Sequence, residues 1–207
     1  MKKYNIIQGK SAEADFLKAE TAQVTTFPWN CQYQPITTAQ MISMEDHFAI
    51  KMETNEKKPR IVVNELNGPV YTDSCMEFFF MPDPQHSNRY INWEFNPMGT
   101  LFISIGTNRF DRVNLDIPNY KELFNVKAWI NLEGWGLEYK IPYKFLQGFF
   151  PEFSAKPGAM MRGNFYKCGD ETEHPHYGVW ADIDLPAPDF HSPDFFGTLS
   201  IPTMADK

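Results

Sequence analysis

Hydrophobic side chains recur at every second position in several short stretches of this 207-residue chain. In His47 to Glu53 (HFAIKME), Phe48, Ile50 and Met52 fall on one parity. In Tyr90 to Asn96 (YINWEFN), Ile91, Trp93 and Phe95 alternate with Tyr90, Asn92, Glu94 and Asn96. In Met160 to Lys167 (MMRGNFYK), Arg162, Asn164 and Tyr166 share one face and Phe165 lies on the other. A period of two is the signature of a β-strand, because successive side chains point to opposite sides of a sheet. Further strands are predicted over Thr37 to Met44, Arg60 to Glu65, Cys75 to Met81, Leu101 to Ile105, Trp135 to Ile141 and Tyr177 to Ile183. Turns separate them, as at Pro97-Met98-Gly99, and the sixteen scattered prolines fit many short strands joined by turns.

Helical periodicity is weak. Lys10 to Lys18 (KSAEADFLK) predicts one or two helical turns with Ser11 as cap. Pro142 to Phe150 (PYKFLQGFF) starts with proline and carries Tyr143, Leu146 and Phe150 near helical spacing, which predicts a short helix or 3₁₀ turn. The pattern as a whole predicts an all-β, antiparallel β-sandwich of jelly-roll or immunoglobulin-like type with one or two short helices. No repeat or linker divides the chain, so residues 1–207 read as one domain. A chain of this length buries roughly 70% of its unfolded surface and needs no disulfide or metal to fold.

Composition narrows the function. Phe, Tyr and Trp make up 15% of the chain, which supplies both core and flat surfaces for a flat ligand. The net charge is −7, and no basic block or Arg-rich face is present. Nucleic acid and anionic membranes are therefore not expected partners. A neutral ligand such as a sugar is compatible with this charge. No run of 18 apolar residues could cross a bilayer. The segment from Met1 to Phe16 lacks an apolar h-region, so a cytoplasmic location is the expectation. Cys31, Cys75 and Cys168 form no C-x-x-C pair, and they read as three semi-buried thiols rather than a disulfide framework or a zinc site.

Five motifs in order carry a family resemblance: YTDSCMEFFFMPD (Tyr71 to Asp83), YINWEFNPMGTL (Tyr90 to Leu101), GWGLEYKIPYKFL (Gly134 to Leu146), RGNFYKCG (Arg162 to Gly169) and HYGVWADIDLPAPDFHSPDFFGTLSI (His176 to Ile201). Over about residues 35 to 201 the chain resembles the family 9-like carbohydrate-binding modules of the DOMON-like group. The resemblance implies a β-sandwich that binds carbohydrate without cleaving it. It also implies an aromatic pair that sandwiches a terminal sugar while polar groups hydrogen-bond the hydroxyls. Tyr71, which stands where well-studied members have Trp, and Trp180 are the expected stacking pair. Glu77, Arg162 and Asn164 are the expected hydroxyl partners. A sugar between two rings sets their separation on the order of 7–8 Å, given carbon contacts near 4 Å. A Glu77–Arg162 structural ion pair is the alternative use of those two residues. No cofactor is expected; structural calcium, which some family 9 modules carry, is the one ion the resemblance allows, although no EF-hand-like oxygen series is present.

Three rival functions stay open on the sequence. Glu77, Glu94 and Glu138 could supply the carboxylate pair of a glycosidase, although no G-x-S-x-G, H-E-x-x-H or P-loop pattern appears. Ten methionines and five histidines, with His174-Pro175-His176 among them, could serve a haem or metal site, as in some DOMON-like domains. A protein-interaction module without sugar binding is the third.

Overall fold

The computed structural model describes residues 2–203. Its strands, in chain order, are β1 (Lys3–Asn5), β2 (Ile7–Gln8), β3 (Ala22–Val24), β4 (Thr37–Ser43), β5 (His47–Thr54), β6 (Cys75–Met81), β7 (Tyr90–Phe95), β8 (Leu101–Gly106), β9 (Val113–Asn114), β10 (Lys127–Ile130), β11 (Trp135–Pro142), β12 (Met160–Cys168), β13 (Tyr177–Val179) and β14 (Gly197–Ser200). Three short helices join them: α1 (Ala12–Phe16), α2 (Tyr120–Leu123) and α3 (Tyr143–Phe149), one more than the pattern predicts.

The strands form two sheets. The larger runs β1-β14-β12-β6-β7-β8-β9, with β13 sharing the β14 edge of β12. The smaller runs β10-β11-β5-β4, with β2 and β3 side by side on the far edge of β4. Pairing is antiparallel except at the N-terminus, where β1 runs parallel to β14 and β2 parallel to β4. The first residues thus cross from one sheet to the other, and this short segment stitches the two edges together.

The sheets face each other across an aromatic core. Met76, Phe78 and Phe80 of β6, Ile91, Trp93 and Phe95 of β7 and Phe165 of β12 meet Phe48, Ile50 and Met52 of β5 and Leu137, Tyr139 and Ile141 of β11. Phe78 and Phe165 stack with centroids 4.5 Å apart. Helix α1 covers the outside of the small sheet, where Phe16 packs on Ile42 and Ala49. Ser11 occupies its N-cap with no side-chain cap bond; the Asp15 carboxylate accepts the Lys10 and Ser11 amides instead. Helix α3 begins straight after Pro142, whose fixed φ of −62° suits a helix entrance.

Two predicted strands differ. Arg60 to Glu65 is not a strand: its amides are taken by a side chain, since the buried Asp73 carboxylate accepts from Val62 at 3.0 Å and from Val63 at 2.9 Å. The strand predicted from Tyr177 to Ile183 stops at Val179. There the Asn164 side chain replaces a strand neighbour, donating to the Ala181 carbonyl and accepting from the Ala181 amide.

The outer face of the large sheet is also buried. Cys75, Phe79 and Met81 of β6, Tyr90 of β7, and Tyr166 and Cys168 of β12 form a second cluster there. The segment around Phe190 lies over it. Phe190 stacks on Tyr166 at 4.1 Å, and the Tyr166 hydroxyl donates to the Phe190 carbonyl. Trp29 donates its indole N–H to the Leu185 carbonyl. This covered face positions the candidate site.

Candidate functional site

Between the outer face of the large sheet and its covering loops lies a cavity of about 410 Å³. Its floor comes from strands: Glu77 of β6, Glu94 of β7, Phe102 of β8 and Cys168 of β12. Its walls come from loops: Tyr71, Arg109, Arg112, Asp170, Pro188, Phe190 and His191, with Tyr177 at the start of β13. Strand alternation explains the floor. Positions 75, 77 and 79 point outward because 76, 78 and 80 point into the core.

Tyr71 sits in a 3₁₀ turn, Val70–Thr72, anchored by buried Val70. Its carbonyl accepts the Asp170 amide at 3.0 Å, which clips the turn to the end of β12. The ring is 41% exposed and meets Phe102 edge-to-face at 6.4 Å. Arg112 reaches over the same Phe102 ring at 5.7 Å. Arg109 binds Asp189 through Nε and Nη2, at 3.1 and 3.0 Å, and so joins two wall loops. His191 is held by Tyr90, with Nδ1 2.9 Å from the hydroxyl. Burial, then the two arginines, hold this imidazole far below its ordinary pKa, so it is neutral.

The floor is electrostatically strained. Glu77 and Glu94 are cross-strand partners, and both are almost fully buried. Burial pushes the Glu77 carboxyl up to about 7, although the Cys168 thiol, donating to Oε1 at 2.9 Å, opposes the shift. Glu94 is raised well above the usual carboxylate range by burial and by Glu77 beside it. Its fixed donors are Asn92 Nδ2 at 2.9 Å and, more distantly, Arg112 Nη1 at 3.8 Å. The cavity thus combines flat rings with carboxyl acceptors and guanidinium donors.

The five residues expected from the sequence separate into two groups. Tyr71 and Glu77 both line the cavity. Trp180 does not: it is buried between the sheets, edge-on to Phe165 at 5.9 Å and to Tyr4 at 6.3 Å. Parity is the reason. Tyr177 and Val179 face outward, so Trp180 faces inward. It fills the space beside Gly197, where a Cβ would come within 2.4 Å of the indole. The Tyr71–Trp180 clamp is therefore corrected; Tyr177 is the aromatic of that segment that reaches the cavity. Asn164 has the outward parity expected of it, but both ends of its amide are spent on Ala181. Arg162 donates Nη2 to the carbonyls of Asp194 and Phe196 and lines a separate cleft with His86 and Arg89. No Glu77–Arg162 ion pair forms among the described residues. β12 pairs Arg162 with Met81 and Tyr166 with Glu77, four residues away along β6. Glu94 was legible as a strand carboxylate; Arg109, Arg112, Phe190 and His191 lie on loops that carry no periodic signal.

The profile of carbohydrate-binding family 9 matches residues 9–201. No curated protein matches the chain. Among solved structures, a Bacteroides uniformis protein whose description proposes carbohydrate binding is 29% identical, with a TM-score of 0.80 over 97% of this chain and 99% of that one. A family 9 module from Caldicellulosiruptor kristjanssonii in complex with cellotriose superposes with a TM-score of 0.65 at 14% identity, covering 99% of this chain and 96% of that one. The same organism's module in complex with glucose gives 0.64 at 13% identity, over 100% and 98%. The latter two show the shared sandwich fold. With nearly its whole length matched by the family profile, this chain belongs to carbohydrate-binding family 9.

Proposed function

We propose that the cavity above β6, β7 and β12 binds a carbohydrate, a sugar end or short glycan, without cleaving it. The observation that carries the reading is the lining itself, in a chain of carbohydrate-binding family 9. Tyr71 and Tyr177 offer flat apolar faces for the C–H surfaces of a pyranose. Glu77, Glu94 and Asp170 accept from its hydroxyls, while Arg109 and Arg112 donate to them. The volume falls within the range of about 300–1,000 Å³ typical of small-molecule pockets. Glucose and cellotriose in the structures of two neighbours support a neutral gluco-configured sugar as the first ligand to try. The chain's acidic charge fits the same choice.

A glycan array followed by calorimetry on the hits tests this. At least one neutral glycan should bind, and no reducing sugar should be released from it. Tyr71→Ala should weaken binding about tenfold, the loss of roughly 1.4 kcal/mol of ring contact. Its melting temperature should stay near wild type, because the ring is half exposed. Absence of binding across the array, or affinity indifferent to Tyr71, would overturn the assignment.

A further inference from the structure

Cys75 and Cys168 are 93 residues apart in sequence, yet the β6–β12 register sets them directly opposite each other. Glu77 follows on the same outward face of β6. One ligand atom from each of the three lies within 4.8 Å of the other two, and all three side chains are buried. Both cysteines are free thiols. Cys168 and Glu77 also line the cavity, so the cluster has an open side.

We propose that Cys75, Glu77 and Cys168 form a binding site for a zinc-class dication at the cavity floor, with a fourth coordination position open to the cavity. Two thiolates and one carboxylate suit Zn²⁺ and exclude calcium or magnesium as the preferred ion, since those take all-oxygen shells. The geometry is close to what the ion needs. Tetrahedral Zn–S bonds of about 2.3 Å place two sulfurs roughly 3.8 Å apart. The present Cys168 Sγ to Glu77 Oε1 distance is 2.9 Å, so this edge has to open by less than about 1 Å.

A second observation points the same way. Glu77 faces Glu94 directly across two strands, and Asp170 lines the same cavity. Arg112 Nη1 stands 3.8 Å from Glu94. The cavity therefore gathers more carboxyl groups (Glu77, Glu94, Asp170) than guanidinium groups (Arg109, Arg112), and a dication gives the excess carboxyls a partner when they ionise. On binding, the two thiol protons, and any proton on Glu77, leave to solvent; no electron changes hands. Water or a ligand hydroxyl takes the fourth position. The site stands on its own residues, so failure of sugar binding leaves it intact.

The test is a cobalt and zinc titration of the reduced, chelator-treated full chain. One Co²⁺ per chain should give thiolate-to-cobalt charge-transfer absorption in the near ultraviolet and tetrahedral bands in the visible. Zn²⁺ should abolish both and raise the melting temperature. Cys75→Ala and Cys168→Ala should each lose the charge-transfer band, and Cys31→Ala should keep it. Absence of that band in folded wild-type protein would overturn the proposal. So would one titratable thiol instead of three in the protein as isolated, unfolded without reductant, since Cys75 and Cys168 would then be a disulfide. That wild-type result needs no variant to fold.

Discussion

At the scale of single residues, three positions along the chain separate binding from packing. Tyr177 and Trp180 are both aromatic, both lie in the segment that follows β12, and both have a polar atom at the ring edge. Their opposite parity sends Tyr177 to the cavity and Trp180 to the core. Trp180→Ala should accordingly cost about 3–5 kcal/mol of stability, the usual loss for a buried tryptophan. Urea unfolding read by fluorescence measures it. Tyr177→Ala should cost much less stability and should instead weaken carbohydrate binding, read by calorimetry on the same two proteins. A Trp180 variant that folds normally but loses sugar would reverse this assignment. The cysteines carry the same lesson in another form. Local spacing predicts no metal site because Cys75 and Cys168 share no motif; the pairing of β6 with β12 creates their proximity.

At the scale of elements, the strands that alternate cleanly were legible and those satisfied by side chains were not. β6 matches its predicted bounds, and β5, β7, β8, β11 and β12 do so within one residue, because each has one face on a continuous core. β1, β2, β9 and β14 have two to four residues, too few for any period to emerge. Arg60 to Glu65 has strand-like composition, yet Asp73 captures it. This buried carboxylate accepts from the amides of Val62 and Val63, from Arg60 Nη1 at 2.6 Å and from Asn96 Nδ2 at 3.0 Å. It thereby ties the loop before β6 to the end of β7. Asp73→Ala takes an acceptor from these donors, and the penalty of about 1–3 kcal/mol for a buried unpaired group is tempered where water reaches the part-buried loop amides. The expected result is a loss of about 1–3 kcal/mol in urea unfolding, together with raised amide exchange at Val62 and Val63. Tyr71 lies two residues from Asp73, so carbohydrate affinity should fall with it. Unchanged exchange at those two amides would show that the loop is held by other contacts.

At the scale of the whole molecule, the sandwich is joined by more than apolar burial. Lys167 lies on the inner face of β12, fully buried, and reaches across to Glu56 just beyond β5 at 3.0 Å. Glu56 also accepts from the Trp135 indole of β11 at 2.9 Å and from the Ser74 hydroxyl at 2.8 Å. Lys167 donates onward to His176 Nε2, whose Nδ1 donates to the His174 carbonyl. Burial, then the Lys167 charge, keep that imidazole neutral, with a pKa near 4. For Glu56, burial alone would raise the pKa, but the Lys167 charge and the three hydrogen bonds outweigh it and hold the carboxyl below its ordinary value. A carboxyl depressed by folding stabilises the protein above its unfolded pKa of about 4.5, and that contribution is lost as the pH falls. Lys167→Met removes the compensating charge and leaves burial to dominate, so the sign reverses. The variant's carboxyl should be raised, and its penalty should be fullest at neutral pH and vanish on acidification. We expect Lys167→Met to lose about 3–5 kcal/mol at pH near 7. The gap to wild type should narrow in two stages on acidification: down to about pH 4.5 as the variant sheds an unpaired buried charge, and below it as the wild type loses the stabilising pair. Adding Glu56→Gln to Lys167→Met should recover part of the loss at neutral pH and remove most of the variant's pH dependence. Urea midpoints of the wild type and both variants across this range decide the matter. A gap independent of pH would mean that Lys167 contributes through the packing of its stem over Trp135, 5.6 Å from the ammonium to the ring centre, rather than through its charge.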